Sequence, residues 1–199
     1  MSSLTSLAQN RLLDLKLPEF SLHSKHRYMP SPSSLRKVYN LEMLRRTAFR
    51  PSSARPGLEV DLVDPPNPEI NRQYYRSVGS PWHWTDRLTW SLQDWQNYVD
   101  RDALKTFVGK LDGVEVGYFE LEVQAPGSVE IVYFGLLPDY IGKGLGGSFL
   151  SAAVKRAWEL PGTKRVWLHT CTQDHKHALS NYQDRGFVIF KTELEPMKE

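Results

Sequence analysis

The stretch that most constrains this chain is Leu136-Leu137-Pro138-Asp139-Tyr140-Ile141-Gly142-Lys143-Gly144-Leu145-Gly146-Gly147, with four glycines in its last six positions. It lies between two regular patterns. Val129 to Leu136 reads as a strand, and Leu145, Phe149, Ala153 and Ala157 recur every four residues, which predicts a helix over Lys143 to Leu160 with one buried stripe. Pro161-Gly162 stops that helix. Amides at the start of a helix point toward whatever occupies the preceding loop, and missing side chains let a phosphate approach closely. The pattern therefore predicts an anion site, with a merely tight strand-to-helix turn as the alternative.

Two phosphate-binding motifs fit poorly. A P-loop needs Ser or Thr after its Gly-Lys pair, and Lys143 is followed by Gly144. The dinucleotide pattern GxGxxG matches formally at Gly142, Gly144 and Gly147, but Pro138 to Ile141 separate it from the strand. No acid occurs among Val166 to His169, where the ribose partner would fall.

Composition narrows the class. A chain of 199 residues, 40% hydrophobic and 24% charged, suits one soluble globular domain with or without an extension, and its aromatic content of 12% excludes a disordered chain. A formal charge of +2 argues against a surface built to bind nucleic acid. No apolar run approaches the roughly 20 residues of a membrane span. A single cysteine, Cys171, excludes an internal disulfide and is read as a small core thiol in a reducing, cytoplasmic setting. Met1 to Leu13 faintly resembles an organelle transit peptide, but Arg11 is its one cation, and an exposed tail is the reading kept.

Residues 1–57 are punctuated by prolines and serines and read as a partly irregular N-terminal extension; the domain is assigned to 58–193 and a tail to 194–199. Strands are predicted at Leu58 to Leu62, Lys105 to Leu111, Val114 to Val123, Val129 to Leu136, Val166 to Thr170 and Phe187 to Phe190. Helices are predicted at Pro68 to Val78, from Ser91 to Tyr98, and at His177 to Arg185. Asp112-Gly113 marks a tight hairpin and Pro126-Gly127 another turn, so the middle strands form an antiparallel meander. Val38 to Met43 carries an apolar alternation and is assigned to a free sheet edge.

Ile141-Gly142-Lys143-Gly144-Leu145-Gly146, after Leu136-Leu137-Pro138, resembles the pyrophosphate loop of the GNAT family of N-acetyltransferases, Arg/Gln-x-x-Gly-x-Gly/Ala. Ile141 departs from that pattern. A second segment, His175 to Phe187, is similar to the family's Asn-x-x-Ala-x-x-x-Tyr-x-x-x-Gly-Phe, with Ala178, Tyr182, Gly186 and Phe187 in register and His175 in place of Asn. The resemblance covers about Leu58 to Glu193. It implies an α/β (α+β) fold, a mixed and mainly antiparallel sheet flanked by helices.

The resemblance also implies acetyl-coenzyme A as co-substrate. Its pyrophosphate would lie on the amides of Gly142, Lys143, Gly144, Leu145, Gly146 and Gly147, with Leu136, Leu137 and His175 also in contact, and the thioester carbonyl would meet the amide near Leu136. Tyr182 falls at the family's general-acid position; packing against the sheet is the alternative. Glu130 is the first candidate for the base, because it lies on the strand leading to the loop, where the family often places a carboxylate; strand alternation groups it with Val132 and Phe134 among apolar residues. Glu120, Glu122 and His169 are further candidates, each with an ordinary structural reading beside it. No metal is expected, because His169, His175 and His177 lack accompanying ligand spacing. Pro81-Trp82-His83-Trp84 falls where the family forms its acceptor pocket, so Trp82, His83, Trp84 and Glu120 are candidates for binding a small-molecule amine; core packing is the alternative.

The expected reaction is acetyl transfer to a primary amine, by a monomer or homodimer that binds neither nucleic acid nor membrane. A coenzyme A-binding module without turnover is the rival.

Overall fold

A computed structural model describes residues 35–124 and 127–198. The tail at Met1 to Leu13 and Pro126 lie outside that range. Among the described residues, seven strands form one sheet in the order β2-β3-β4-β5-β6-β1-β7. The strands are β1 (Leu35–Met43), β2 (Leu58–Leu62), β3 (Leu104–Leu111), β4 (Val114–Gln124), β5 (Ser128–Leu136), β6 (Arg165–Cys171) and β7 (Val188–Pro196). Four α-helices accompany them, α1 (Pro68–Gly79), α2 (Leu92–Val99), α3 (Gly146–Glu159) and α4 (Ala178–Asp184). No helix among the described residues is long and apolar enough to cross a membrane.

Local chemistry accounts for most of the boundaries. Asn67 caps α1 by accepting from the amides of Glu69 and Ile70, and Pro68 occupies the first turn, where no N–H is needed. Ser91 and Asp94 close a reciprocal capping box on α2, an arrangement that contributes about 1 kcal/mol. Asp112 and Gly113 both have positive φ, 50° and 83°, which matches the right-handed twist of the β3–β4 hairpin. The helix α3 begins at Gly146, later than the expected Lys143, because Gly142 and Gly144 hold φ of 79° and 75° and cannot continue a helix.

β2 through β5 form the expected antiparallel meander, whereas β5 and β6 run parallel, so the sheet is mixed. The stripe of α3 is buried as its period predicts: Leu145 is 1% exposed, and Phe149, Ala153 and Ala157 pack with Phe119, Leu121, Ile131 and Leu168 in the main core. On the opposite face, α1 and α2 cover an aromatic cluster of Tyr75, Trp95, Tyr98 and Tyr133.

Two expectations about strands need correction. Val38 to Met43 does pair, but inside the sheet: β1 lies between β6 and β7, antiparallel to both, and the edge on that side belongs to β7. The assigned extension therefore contributes an internal strand, and Leu41 and Met43 are fully buried. The last strand runs to Pro196, past the expected Phe190 and past the boundary at 193. Its ladder with β1, interrupted by one register shift at Phe190, extends it to Pro196, although Lys191 to Glu195 shows no run of apolar residues.

Candidate functional site

The parallel ladder between β5 and β6 is short. It pairs Ser128 with Arg165, Val129 with Val166 and Glu130 with Trp167, and then the strands diverge, while β6 remains paired with β1 up to Cys171. The divergence opens a cavity of about 960 Å³, walled by β5 from Ile131 to Leu136, by β6 at His169 and Cys171, by the glycine loop, by α4 and by the Trp82 to Trp84 loop. That volume is ample for a cofactor-sized ligand and a small acceptor.

At the cavity's loop end, Gly142, Gly144, Gly146 and Gly147 line the wall. Space beside Gly142 and Gly144 is open where a Cβ would stand, and their positive φ values exclude most other residues. α3 has no side-chain cap, and none of the N–H groups from Gly142 to Ser148 has a hydrogen-bond partner among the described residues. A row of unfilled donors at a helix start favours an anion. Lys143 and Leu145 do not line the wall: Leu145 is buried in the core, and the Lys143 ammonium stands 4.9 Å from the centre of the Tyr140 ring. Leu137 also lies off the wall.

Backbone direction is decided by one hydrogen bond. Leu137 N–H donates to Val116 O on β4 at 2.8 Å, so by strand alternation the Leu136 N–H points away from β4, into the divergence. Across the cavity stands Tyr182 of α4, 9% exposed, its ring edge-on to Phe134 and Phe187. Burial pushes the Tyr182 hydroxyl well above the ordinary phenol range, and Asp174 adds to the effect, so the group stays protonated.

Glu130 is placed differently from its sequence-based expectation. β5 carries a bulge at Val132, since Glu120 pairs with Tyr133 while Leu121 pairs with Ile131. Phe134 and Leu136 thereby join Val129 and Ile131 in the main core, and Tyr133 turns to the aromatic side. Glu130 meets polar groups instead of apolar ones: Oε2 accepts from Gln124 Nε2 at 2.8 Å, and Oε1 lies 3.5 Å from His169 Nδ1. Glu130 is buried and off the cavity wall, whereas the His169 side chain, with about half its surface exposed, is on it. Trp167 Nε1 donates to Gln124 Oε1 at 3.0 Å and completes the chain behind Glu130.

Glu120 is also off the wall. It is fully buried, accepting from Asn71 Nδ2 at 2.8 Å and from the Tyr98 hydroxyl at 2.6 Å; burial raises its pKa against the pull of Tyr98, Arg87 and Asn71. Glu122 shares its face of β4 but pairs with Arg101 at 2.6 Å. Trp82, His83 and Trp84 all line the cavity, and Trp84 additionally packs on Tyr133 and Tyr75. His175 lines it edge-on to Trp82, its pKa lowered by burial and by His177 and Lys176. Cys171 is half-buried on the cavity wall rather than in the core, 3.7 Å from Arg36 Nη1. Among the described residues no group of three His, Cys, Asp or Glu is arranged to hold a metal.

Arg87 and Asn181 line the cavity and were not singled out from sequence. Asn181 Nδ2 donates to Gly146 O at 3.2 Å, tying α4 to the glycine loop. Its place one residue before Tyr182 was the available signal; nothing local marks Arg87.

The sequence model of the Acetyltransferase (GNAT) family matches residues 68–187, more than half of the chain. This chain belongs to the GNAT family. Solved structures agree on the fold. A GCN5-related N-acetyltransferase from Kribbella flavida is 18% identical with a TM-score of 0.58, covering 78% of this chain and 55% of its own. One from Sphaerobacter thermophilus is 12% identical with a TM-score of 0.61, covering 83% and 53%. A Vibrio cholerae spermidine N-acetyltransferase, solved with CoA and spermine, is 17% identical with a TM-score of 0.56, covering 67% and 82%. This chain thus spans about half the length of the first two. No curated protein matches it.

Proposed function

We propose that the protein transfers an acetyl group from acetyl-coenzyme A to the primary amine of a small molecule, by direct attack within one ternary complex. The observation that carries this reading is convergence: the glycine loop, the Leu136 end of β5, Tyr182 and His169 all line one cavity. Acetyl-coenzyme A would supply the activated thioester, and a family neighbour is solved with CoA. The amides of Gly142 to Ser148 bind the pyrophosphate. The Leu136 N–H, aimed into the strand divergence, stabilises negative charge developing on the thioester oxygen.

His169 takes the proton from the attacking amine. Its Nδ1 is turned to Glu130, which leaves Nε2 for the acceptor, and Glu130 holds the ring in position. As the N–C bond forms and the C–S bond breaks, Tyr182 gives its proton to the departing sulfur. Trp82, His83 and Trp84 shape the acceptor's side of the cavity.

Calorimetry with acetyl-coenzyme A, followed by thiol release against a panel of amines, tests the proposal. Binding with release is the expected result; binding without release would leave a coenzyme A-binding module instead. Two variants sharpen the test. Gly144→Val should abolish acetyl-coenzyme A binding, because its φ of 75° opposes a branched side chain and the added atoms fill the open space at the loop. His169→Asn should lower kcat about 10²–10⁴-fold, with Glu130→Gln less severe, at unchanged Kd for acetyl-coenzyme A. An unaltered kcat in His169→Asn would remove His169 from the mechanism.

A further inference from the structure

Arg87 sits in the loop between α1 and α2 and lines the cavity beside Trp84 and Tyr133. Its guanidinium carbon stands 3.8 Å from the centre of the Tyr98 ring, 4.5 Å from Trp90, 4.9 Å from Tyr133 and 5.8 Å from Trp95. The four rings desolvate the cation and restrict its motion. Its Nη1 is buried without a hydrogen-bond partner, and the guanidinium forms no ion pair among the described residues.

The carboxylates that line the cavity, and Glu120 beside them, are already engaged. Glu120, behind the rings, accepts from Tyr98 and Asn71. Asp86 pairs with Lys198, Glu195 with Arg36 at 2.6 Å, and Asp184 with Arg185 at 3.9 Å. Asp174 accepts from the Thr170 hydroxyl and the Cys171 N–H. A polycationic acceptor would thus meet acids that have partners and one guanidinium without an ion pair. An anionic group would neutralise a cavity-lining cation that has no ion pair of its own, and the planar fork of an arginine suits a carboxylate.

We infer that Arg87 holds a carboxylate of the acceptor, so that the amine acetylated in this cavity belongs to a small aminocarboxylate. The inference rests on the acetyl-transfer reading for its reaction but not for its binding contact. The aromatic enclosure makes the contact selective, because an anion placed there meets a cation stripped of most of its water.

The test compares amino acids and ω-amino acids of increasing chain length with their matched amides, using thiol release by the wild-type protein and by Arg87→Gln and Arg87→Lys. Expected is a preference for the best carboxylate over its amide of about tenfold or more in kcat/KM. That preference should vanish in Arg87→Gln and fall in Arg87→Lys, with Kd for acetyl-coenzyme A unchanged. Equal rates for carboxylates and amides, or an equal loss for both in Arg87→Gln, would overturn it. A parallel arm replaces acetyl- by succinyl-coenzyme A: an Arg87-dependent gain there, without one for the acceptor, would move the carboxylate to the acyl group and overturn the assignment as stated. Should no amine release thiol, acetyl transfer fails, and calorimetry decides the contact by itself. The same carboxylates should then bind the coenzyme A-loaded protein and be lost in Arg87→Gln; no binding, or binding that survives, would overturn it. Circular dichroism melts of both variants establish that they are folded.

Discussion

Replacing Tyr182 by Phe is expected to lower kcat by about 10²–10⁴-fold while leaving the Kd for acetyl-coenzyme A close to that of the wild-type protein. The ring is what packs: it contacts Phe134 and Phe187 edge-on, and Phe preserves that shape. The hydroxyl has no hydrogen-bond partner among the described residues, so its removal strands no donor or acceptor and melting should change little. A rate loss without a stability loss therefore identifies proton donation. An unchanged kcat would reduce Tyr182 to packing and require another acid. The hydroxyl's pH behaviour has a definite sign. Burial raises its folded pKa above the unfolded value of about 10, so the associated stability is fully present below pH ~10 and is lost as pH rises beyond it. Wild-type protein should consequently lose stability more steeply than Tyr182→Phe on the alkaline side, in melts recorded from pH 8 upward.

Gly186→Ala is expected to be the most destabilising single methyl addition at the end of α4. Gly186 has a φ of 100°, and an added Cβ would stand 2.0 Å from the carbonyl oxygen of Ala48. That neighbour is backbone and cannot swing aside. It belongs to the segment that leaves β1, held here by the Arg50 N–H donating to Arg185 O at 3.0 Å. The left-handed conformation contributes about 1–2 kcal/mol of the cost and the overlap about 1–3 kcal/mol. In a chain of this length each kcal/mol lowers Tm by about 2–4 °C, and a differential scanning measurement resolves the sum easily. A drop of under 2 °C would mean that residues 44–50 do not lie against Gly186, and with that the route of the chain out of β1 would fall.

Much of this fold was legible because its signals are local. The Asp112-Gly113 turn, the helix start at Pro68 and the four-residue period of α3 each act over a few residues, and each appears where expected. β1 was harder. Its apolar alternation marked a strand, but its place between β6 and β7 depends on two ladders that join residues more than 120 positions apart. The bulge at Val132 left no mark in sequence either, and it transferred Phe134 to the opposite face from the one strand alternation predicted.

The site divides in the same way. The glycine loop could be read directly because positive φ and close approach of an anion both call for the absence of a side chain, a property of single residues. Tyr182 stood out by its spacing to Gly186-Phe187 on one short helix. The pairing of Glu130 with His169 needs two parallel strands to diverge just beyond Glu130, and the exclusion of Glu120 from the cavity needs Asn71 and Tyr98 to come from two separate helices. Arg87 is the extreme case. Its guanidinium, without an ion pair, is enclosed by Trp90, by rings of α2 and by Tyr133 of β5, while the carboxylates of the cavity are engaged elsewhere. Local conformational preference writes the loop, the caps and the helical stripe into the sequence, whereas which charges remain unpaired is a property of the folded chain as a whole.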